Sequence, residues 1–236
     1  MPVIDDPDRV RLSPPVRKVL RRLARHRGTC VYVMSGRRLA DLRQHVNIPG
    51  VNLLGLHGWE SHGARLPTTQ KHLLGEAKVW LAAHLPGLPR IMIEDKGYAL
   101  AVHYRGAAAP AVRVAKQCML AAHRLFGPEL RLLKGKKIWE LLPRAIVGKG
   151  LTTQGLLAKL PAHTLPIFIG DDTSDESAFA VIRHGLAIHV GDLKTTKATF
   201  TLRDPEEVME FLERLEALLS RRQSNHRQPS NHHSNL

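Results

Sequence analysis

The chain has 236 residues, 43% of them hydrophobic and 24% charged, which is typical of a globular protein with one core or with a core and a small inserted domain. No apolar run approaches about 18 residues, and the acidic start lacks the apolar segment of a secretory signal, so we expect neither a membrane partner nor export. Its two cysteines stand in apolar patterns, which fits a reducing cytoplasm.

The net charge of +14 raises the possibility of nucleic-acid binding. Much of this charge lies between Arg9 and Arg43, where apolar residues recur at helical spacing and basic residues fill the other face. No aromatic platform accompanies the basic residues. We therefore interpret the charge as the solvated face of a helix and expect no nucleic-acid partner. An affinity that falls steeply with salt would mark the alternative.

The first part of the chain predicts a helix, a strand, a short helix and a second strand. Ser13 and Pro14 are helix-start signals, and Gly28 is a stop signal. A β-rich apolar run follows over residues 29–34, and another over residues 51–56. This β-α-β alternation indicates a parallel sheet.

The middle of the chain repeats a different pattern. A helix near residues 71–85 precedes "IMIEDKGYALAVHYR", and a helix near residues 109–126 precedes "LRLLKGKKIWELLP". We interpret each lettered segment as two strands, folded about Asp95-Lys96-Gly97 and about Lys134-Gly135-Lys136. Two helix-strand-strand units form a small antiparallel sheet covered on one face by two helices. A chance resemblance between two hairpins is the alternative.

After Pro143 the parallel pattern returns. We predict a helix, a strand, an acidic loop, a helix through Phe179 and Ile182, a further strand and a last helix. The predicted organisation is a parallel α/β core interrupted by a cap, with core residues 1–66, cap residues 67–143, core residues 144–220 and a polar, disordered tail over residues 221–236.

The acidic loop crowds four carboxylates into the segment "DDTSDE" directly after a predicted strand. Sites of open parallel sheets lie at the carboxyl ends of the strands, and oxygen ligands there suit Mg²⁺. Helix capping is the rival explanation for Asp172, Asp175 and Glu176, but it leaves Asp171 without a role. We predict a Mg²⁺ site at Asp171, Asp172 and Asp175.

Two further residues point to phosphoryl transfer beside such a metal. Lys149 opens a predicted helix within Gly-Lys-Gly, so its ammonium and the helix N-terminus would face one anion together. Ser35 follows the first predicted strand. A solvated lysine and an ordinary Ser-Gly turn are the alternatives for each residue taken singly.

Five segments together resemble the motif series of trehalose-6-phosphate phosphatases, a branch of the haloacid dehalogenase superfamily. They are "SGRRLADL", "LLGLHGWE", "EDKGYALAVHYR", "GKKIWELLP…KG" and "GDDTSDE", and the resemblance runs from about residue 1 to residue 219. It implies a Rossmann-like core with an inserted α+β cap, Mg²⁺, and hydrolysis of trehalose 6-phosphate to trehalose and phosphate in trehalose biosynthesis. We expect a cytoplasmic monomer whose partner is this small molecule.

The resemblance also implies residue roles. Ser35, Lys149 and Asp172 would act in catalysis, with metal ligation by Asp171, Asp172 and Asp175. The implied substrate-binding residues are Gly36, Arg37, His57, Glu94, Lys96 and Glu140. Charged partners of this kind suit hydroxyl-rich sugars. The alternative for Glu94 and Lys96 is an ion pair at a hairpin tip, which contributes little.

The chain departs from the family pattern at its start. Relatives carry Asp-x-Asp-Gly-Thr at the end of the first core strand, and its first aspartate is the nucleophile. Asp5 and Asp6 are followed by Pro7, so we interpret them as turn residues. We therefore expect the first core strand to be missing, its neighbours to have open edges, and this chain to be impaired. Either the start is assigned too late, or the truncation is real.

Other readings of the function stay open. The chain could bind sugar phosphate without turnover, or it could be a phosphatase for another sugar phosphate. Leu142 also stands where the family tends to have arginine, and "TSDE" replaces the more usual "LTDE". Either change could alter contacts to the sugar or the phosphate without changing the reaction class.

Overall fold

A computed structural model of the chain describes residues 12–61, 65–85, 87–192 and 195–225. The interpretation of Asp5 and Asp6 as turn residues lies outside this part, as do residues 226–236 of the predicted tail. No helix in the described residues is both long and apolar enough to cross a membrane.

The first core part is a β-α-β unit, as predicted. Its elements are α1 (Pro14–Leu23), β1 (Val31–Met34), α2 (Leu39–Val46) and β2 (Val51–Leu54). The two strands pair in parallel, with Val31 opposite Val51 and Met34 opposite Leu54. Apolar residues of α2 pack beneath them, because Leu42 and Val46 recur on one face of the helix.

Two elements of this part are shorter than the sequence predicts. Helix α1 ends at Leu23, and the chain turns through His26 before Gly28, which adopts the left-handed φ of +77°. Strand β2 ends at Leu54, because Leu56 enters a 3-10 helix over Leu56–Gly58. Leu56 and His57 both have positive φ there, a conformation that local propensity does not favour.

The middle part contains the repeated helix-strand-strand unit. Its elements are α3 (Thr68–His84), β3 (Met92–Asp95), β4 (Leu100–His103), α4 (Ala109–Leu125), β5 (Leu130–Gly135) and β6 (Ile138–Pro143). The four strands form one antiparallel sheet in the order β3-β4-β6-β5. The second hairpin turns at Lys136 and Lys137, not about Gly135, which is the last residue of β5.

The cap sheet is covered by its two helices over a continuous apolar core. Leu81 from α3, Met119 from α4 and Leu141 from β6 are all fully buried within this core. Because side chains alternate along a strand, Leu141 faces this core while its neighbour Glu140 faces the other way.

The second core part is again a parallel sheet. Its elements are α5 (Lys149–Leu157), β7 (Ile167–Gly170), α6 (Glu176–Phe179), β8 (Leu186–Val190), β9 (Phe200–Leu202) and α7 (Pro205–Asn225). Strand β9 was not predicted, and α6 stops at Phe179 instead of continuing through Ile182. Helix α7 runs past residue 221, where the sequence predicts the tail to begin.

The two parallel sheets are separate in the described part of the chain. The first has the order β1-β2 and the second the order β7-β8-β9. Strands β1 and β7 each therefore stand at the end of a sheet. The absence of the first core strand stays a prediction.

The packing of the cap predicts unequal costs for two substitutions on α3. Leu81→Ala removes a fully buried side chain and should lower the free energy of unfolding by about 2–5 kcal/mol. Val79→Ala, two residues earlier and 72% exposed, should change it by less than about 0.5 kcal/mol. Urea unfolding of both variants, followed by tryptophan fluorescence, checks this. Equal effects would show that α3 does not pack as described.

Candidate active site

A buried carboxylate joins the cap to the core. Glu140 on β6 is 3% exposed, and its Oε2 lies 2.7 Å from Nε2 of His57 in the core. Its Oε1 accepts a hydrogen bond of 2.5 Å from Nζ of Lys96, in the β3–β4 turn. The same ammonium donates to the carbonyl of Gly36 at 3.0 Å. Four of the predicted substrate-binding residues therefore meet at one point.

Local structure explains why these groups meet. Glu140 lies opposite Ala101 of β4 and Leu133 of β5, so it stands in the middle of the cap sheet. A Cβ on Gly36 would lie 3.0 Å from Cε1 of His57, so the glycine leaves space for the imidazole ring. His57 itself has φ of +60°.

The surroundings of Glu140 keep it ionised. Burial alone would raise its pKa, but the hydrogen bond from His57 and the charge of Lys96 outweigh burial and lower the pKa to about 2. A carboxylate facing two donors in a low-dielectric site is held firmly in place.

Glu94 is not paired with Lys96, which was the alternative to sugar binding. Its Oε2 lies 2.7 Å from Nε2 of His103 on the neighbouring strand β4. This hydrogen bond is the main reason that its pKa is lowered, with burial opposing it and the charge of Lys96 assisting. Because Lys96 is hydrogen-bonded to Glu140 and Gly36, the contacts are not those of a Glu94–Lys96 pair at a hairpin tip.

Ser35 is fixed by backbone contacts at the end of β1. Its N–H donates to the carbonyl of Leu54 at 3.0 Å, and its carbonyl accepts from the N–H of His57 at 2.8 Å. Its Oγ accepts a hydrogen bond of 3.1 Å from the N–H of Arg37. The hydroxyl proton therefore stays available for an acceptor such as a phosphoryl oxygen.

The acidic loop is organised around Asp175, which is 3% exposed. Its Oδ1 accepts a hydrogen bond of 2.6 Å from Nζ of Lys149, at the start of α5. Its Oδ2 accepts from the N–H groups of Asp171 and Asp172 at 3.1 Å and 2.9 Å. A Cβ on Gly170 would lie 2.4 Å from Cγ of Asp175, so only glycine fits there.

Comparison with known proteins identifies the family of the chain. The family model described as Trehalose-phosphatase matches residues 1–206. The chain belongs to the trehalose-phosphatase family. A trehalose-phosphate phosphatase of Mycobacterium leprae is 35% identical to it, over 92% of this chain and 55% of that protein. The chain spans little more than half the length of the curated relatives it matches.

Solved structures support the family's fold. A trehalose-6-phosphate phosphatase related protein superposes with a TM-score of 0.76 at 22% identity, covering 94% of both chains. The C-terminal domain of a trehalose-6-phosphate phosphatase from C. albicans gives 0.77 at 23% identity, covering 92% of this chain and 88% of that chain. At this level of identity, the likeness shows that these proteins share the α/β fold of this chain.

The donor set of the loop suits a hydrated Mg²⁺ better than a protein-only cage. Mg²⁺ is usually held by one or two carboxylates together with water and substrate phosphate. Asp171 is exposed, with Nζ of Lys136 at 3.8 Å, and Oδ1 of Asp172 lies 3.1 Å from Oγ1 of Thr173. Both oxygens of Asp175 are already engaged. The described residues contain no group of three His, Cys, Asp or Glu side chains arranged for a metal.

The capping explanation is therefore correct for part of the loop. Asp172 is the N-cap of a 3-10 helix over Thr173–Asp175, and the Asp175 carboxylate accepts its N–H. Asp171 takes no part in this cap through its side chain and is the best placed carboxylate for a cation. The ligand roles of all three aspartates stay predictions.

Sequence reasoning missed His103 as the partner of Glu94. The signal was present, because an antiparallel hairpin places Met92 opposite His103 and Glu94 opposite Ala101. His103 is thus the diagonal neighbour of Glu94 on one face of the sheet, within reach of a long side chain. It also missed Thr173, whose Oγ1 donates to the carbonyl of Lys134 at 3.0 Å and so joins the loop to the cap.

The low pKa of Glu140 predicts a specific acid sensitivity. A lowered pKa adds stability above the unfolded pKa near 4.5, and this contribution is lost as pH falls toward about 2. Between pH 5 and pH 3 the parent chain should lose about 2 kcal/mol more unfolding free energy than Glu140→Gln does. Urea titrations at both pH values measure this.

The matched control is Glu213→Gln, which replaces an exposed carboxylate on α7. It should keep the acid sensitivity of the parent chain. If Glu140→Gln also keeps that sensitivity, then Glu140 is not the ionised, buried group described here.

Proposed function

We propose that the chain is a Mg²⁺-dependent phosphatase that hydrolyses trehalose 6-phosphate to trehalose and phosphate. The observation that carries this proposal is the cluster at Glu140, where the sugar-binding candidates of the cap meet Gly36 and His57 of the core. A site of this kind can contact a sugar from one side and its phosphate from the other. The name of the Mycobacterium leprae relative supports the choice of substrate.

The cap side supplies groups that suit sugar hydroxyls. Glu94 and Glu140 have lowered pKa values and so act as hydrogen-bond acceptors near neutral pH, while Lys96 is a donor. Charge-assisted hydrogen bonds of this type are stronger than neutral ones. The hydroxyls of a bound sugar would form hydrogen bonds with these groups. The two carboxylates would then discriminate between sugars by the positions of those hydroxyls.

The core side supplies groups that suit a phosphoryl dianion. Ser35 donates its hydroxyl proton to one phosphoryl oxygen, and Arg37 and Gly36 follow it in the same turn. Lys149 neutralises charge from the start of α5, and Asp175 fixes the position of its ammonium. Mg²⁺, bound through Asp171 and Asp172, would neutralise further charge on the phosphoryl oxygens. Asp172, the third catalytic candidate, lies in this same loop.

Turnover by the family's route also needs a carboxylate that attacks phosphorus. The residues that the structure describes contain no Asp-x-Asp-Gly-Thr segment to supply it. A binding protein without turnover would use the same cap and core residues, so it is the second candidate. A phosphatase for a different sugar phosphate is the third, and it would differ in the preferred sugar only.

We also propose that the protein is a cytoplasmic monomer with neither nucleic-acid nor membrane partners. Its thiols and its basic helix support this. Cys30 is exposed and Cys118 is partly buried, and both are free thiols, which suits a reducing compartment. The basic residues of α1 lie on a helix that uses Val19 and Leu23 for packing, as expected of a solvated face.

The proposal predicts Mg²⁺-dependent phosphate release from trehalose 6-phosphate. This release should be measured on this chain and on one extended upstream in the same reading frame. In whichever chain is active, Asp171→Asn should reduce the rate at least about a hundredfold, because it removes a charged ligand from the metal. Glu213→Gln, the matched change at an exposed carboxylate, should leave the rate within about twofold.

Three outcomes separate the candidates. Faster release from another sugar phosphate would replace the substrate. Saturable binding of trehalose 6-phosphate without release from either folded chain would favour the binding protein. Neither binding nor release would contradict the proposed function altogether.

A further inference from the structure

The turn between β3 and β4 carries Lys96 and is fixed internally by its own hydrogen bonds. Oδ1 of Asp95 accepts the N–H of Gly97 at 2.7 Å, and the N–H of Lys96 donates to the carbonyl of Ala99 at 2.9 Å. Gly97 has φ of +72°, a left-handed conformation that favours glycine. Because these bonds join the turn into one unit, a contact at any point of it affects the position of Lys96.

The core segment that follows β1 contacts this cap turn at two points. At the first point, Nζ of Lys96 donates to the carbonyl of Gly36 at 3.0 Å. At the second point, the guanidinium of Arg38 lies over the ring of Tyr98, with its Cζ 5.5 Å from the ring centroid. A cation within about 6 Å of an aromatic centroid is attracted by the ring. Arg38 is not among the site residues that the sequence predicts.

Arg38 also packs directly on the backbone of the cap turn. A Cβ on Gly97 would lie 3.2 Å from Nη1 of Arg38 and 3.3 Å from its Cζ. A side chain at this position would therefore press against the guanidinium, so the glycine serves this contact as well as the turn. The planar group thus touches two successive residues of the cap, Gly97 and Tyr98.

The backbone of Arg38 is held in place on the core side. Arg38 precedes α2, and its carbonyl accepts the N–H of Leu42 in the first turn of that helix at 2.9 Å. The next N–H, that of Leu39, donates to the carboxylate of Glu60 at 2.5 Å. Nε of Arg38 is buried and has no hydrogen-bond partner among the residues that the structure describes. Packing against the cap turn, and not a hydrogen bond at this atom, therefore directs the side chain.

The ring of Tyr98 contacts the core on its own account. It meets the ring of Trp59 edge-on, with centroids 5.6 Å apart and ring planes at 62°. Both rings pack against an apolar cluster that includes Leu56 of the core and Leu142 of the cap. Tyr98 belongs to the cap, but two of its contacts, Arg38 and Trp59, belong to the core.

The charge of Arg38 acts on the start of the turn as well. A hydrogen bond of 2.7 Å from Nζ of Lys78 is the main reason that the pKa of Asp95 is lowered. Burial opposes this shift, and the charge of Arg38 adds to the lowering. Because Asp95 is exposed, its attraction to Arg38 is screened by solvent. We therefore assign the main part of the contact to stacking.

We propose that Arg38 is a positioning residue, which holds the β3–β4 turn of the cap against the core and so places the ammonium of Lys96 in the site. Lysine has a long, flexible side chain, so its bond to Gly36 does not by itself fix the backbone of the turn. Arg38 does so because it touches that backbone at Gly97. The role rests on the proposed function only for the ligand that Lys96 meets, trehalose 6-phosphate.

Hydrogen exchange of the full chain without ligand tests the contact itself. In Arg38→Gln, a peptide that covers residues 95–99 should exchange at least about threefold faster than in the parent chain, because the turn opens more often. The turn of the second cap hairpin, at Lys136 and Lys137, should exchange as in the parent chain. Unchanged exchange of residues 95–99 would overturn the proposal.

Calorimetric titration tests the role of the contact in binding. Arg38→Gln should weaken binding of trehalose 6-phosphate at least about threefold and leave inorganic phosphate within about twofold, because Lys96 belongs to the sugar side. Arg38→Lys should recover only part of the loss, since it restores the charge but not the planar group. An equal loss for both ligands, or no loss for trehalose 6-phosphate, would overturn the proposal.

The matched control is Arg113→Gln. Arg113 is exposed on α4 of the cap, and its replacement removes the same charge. Both the exchange of residues 95–99 and the affinity for trehalose 6-phosphate should match those of the parent chain. Equal effects in Arg113→Gln and Arg38→Gln would mean that net charge alone is responsible, which would contradict a specific contact.

Variants of Tyr98 test the same contact from the cap and keep the test decisive if Arg38→Gln does not fold. Tyr98→Leu removes the ring and should speed the exchange of residues 95–99, whereas Tyr98→Phe keeps the ring and should match the parent chain. Adding Arg38→Gln to Tyr98→Leu should cause little further increase, because both changes remove one contact. Fully additive effects would show that the two residues act independently and would overturn the pairing.

The two measurements separate this inference from the proposed function. If the parent chain does not bind trehalose 6-phosphate, the proposed function fails, while faster exchange in Arg38→Gln would still show that Arg38 holds the turn. If the parent chain binds this ester and Arg38→Gln binds it equally well despite faster exchange, then Arg38 does not position Lys96 for the ligand.

Discussion

The ionised carboxylate of Glu140 is the constraint on which the meeting of cap and core depends. A charge that is almost fully removed from water must be paired, and removing one partner of such a pair is strongly destabilising. Its two partners come from different segments: Lys96 lies in a cap turn, and His57 lies in a 3-10 helix of the core. The cap turn, the sheet and the core loop must therefore keep their relative positions whenever this charge is buried.

A second ion pair does the same within the core. Asp175 binds Lys149 and the backbone of the acidic loop, so the end of β7 and the start of α5 are fixed to each other. Asp171 is left at the exposed edge of this assembly, where a hydrated cation can approach. Each buried carboxylate thus positions other groups, and the more exposed carboxylates are placed to meet ligands. This division explains how a strongly basic chain uses a local concentration of negative charge.

The order of helices and strands could be predicted from the sequence because its signals are local. Most elements can be predicted from periodicity, from the helix-start signals Ser13 and Pro14, and from the two cap hairpins. The family motifs point to Lys149 and Glu140. The contacts that build the site are not local. His57 and Glu140 are 83 residues apart, and Lys96 and Glu140 are 44 residues apart. Strand β9, with three residues, is too short for periodicity to reveal.

The central claim is that cap and core form one site for a sugar phosphate. Calorimetric titration of the full chain with trehalose 6-phosphate, trehalose and inorganic phosphate tests this most directly. We predict that trehalose 6-phosphate binds at least about tenfold more tightly than either part, since both sides then contribute to binding. Glu140→Gln should remove most of the gain due to the sugar and leave inorganic phosphate binding much less affected. If trehalose 6-phosphate binds no more tightly than inorganic phosphate, the cap does not recognise the sugar and the account is contradicted.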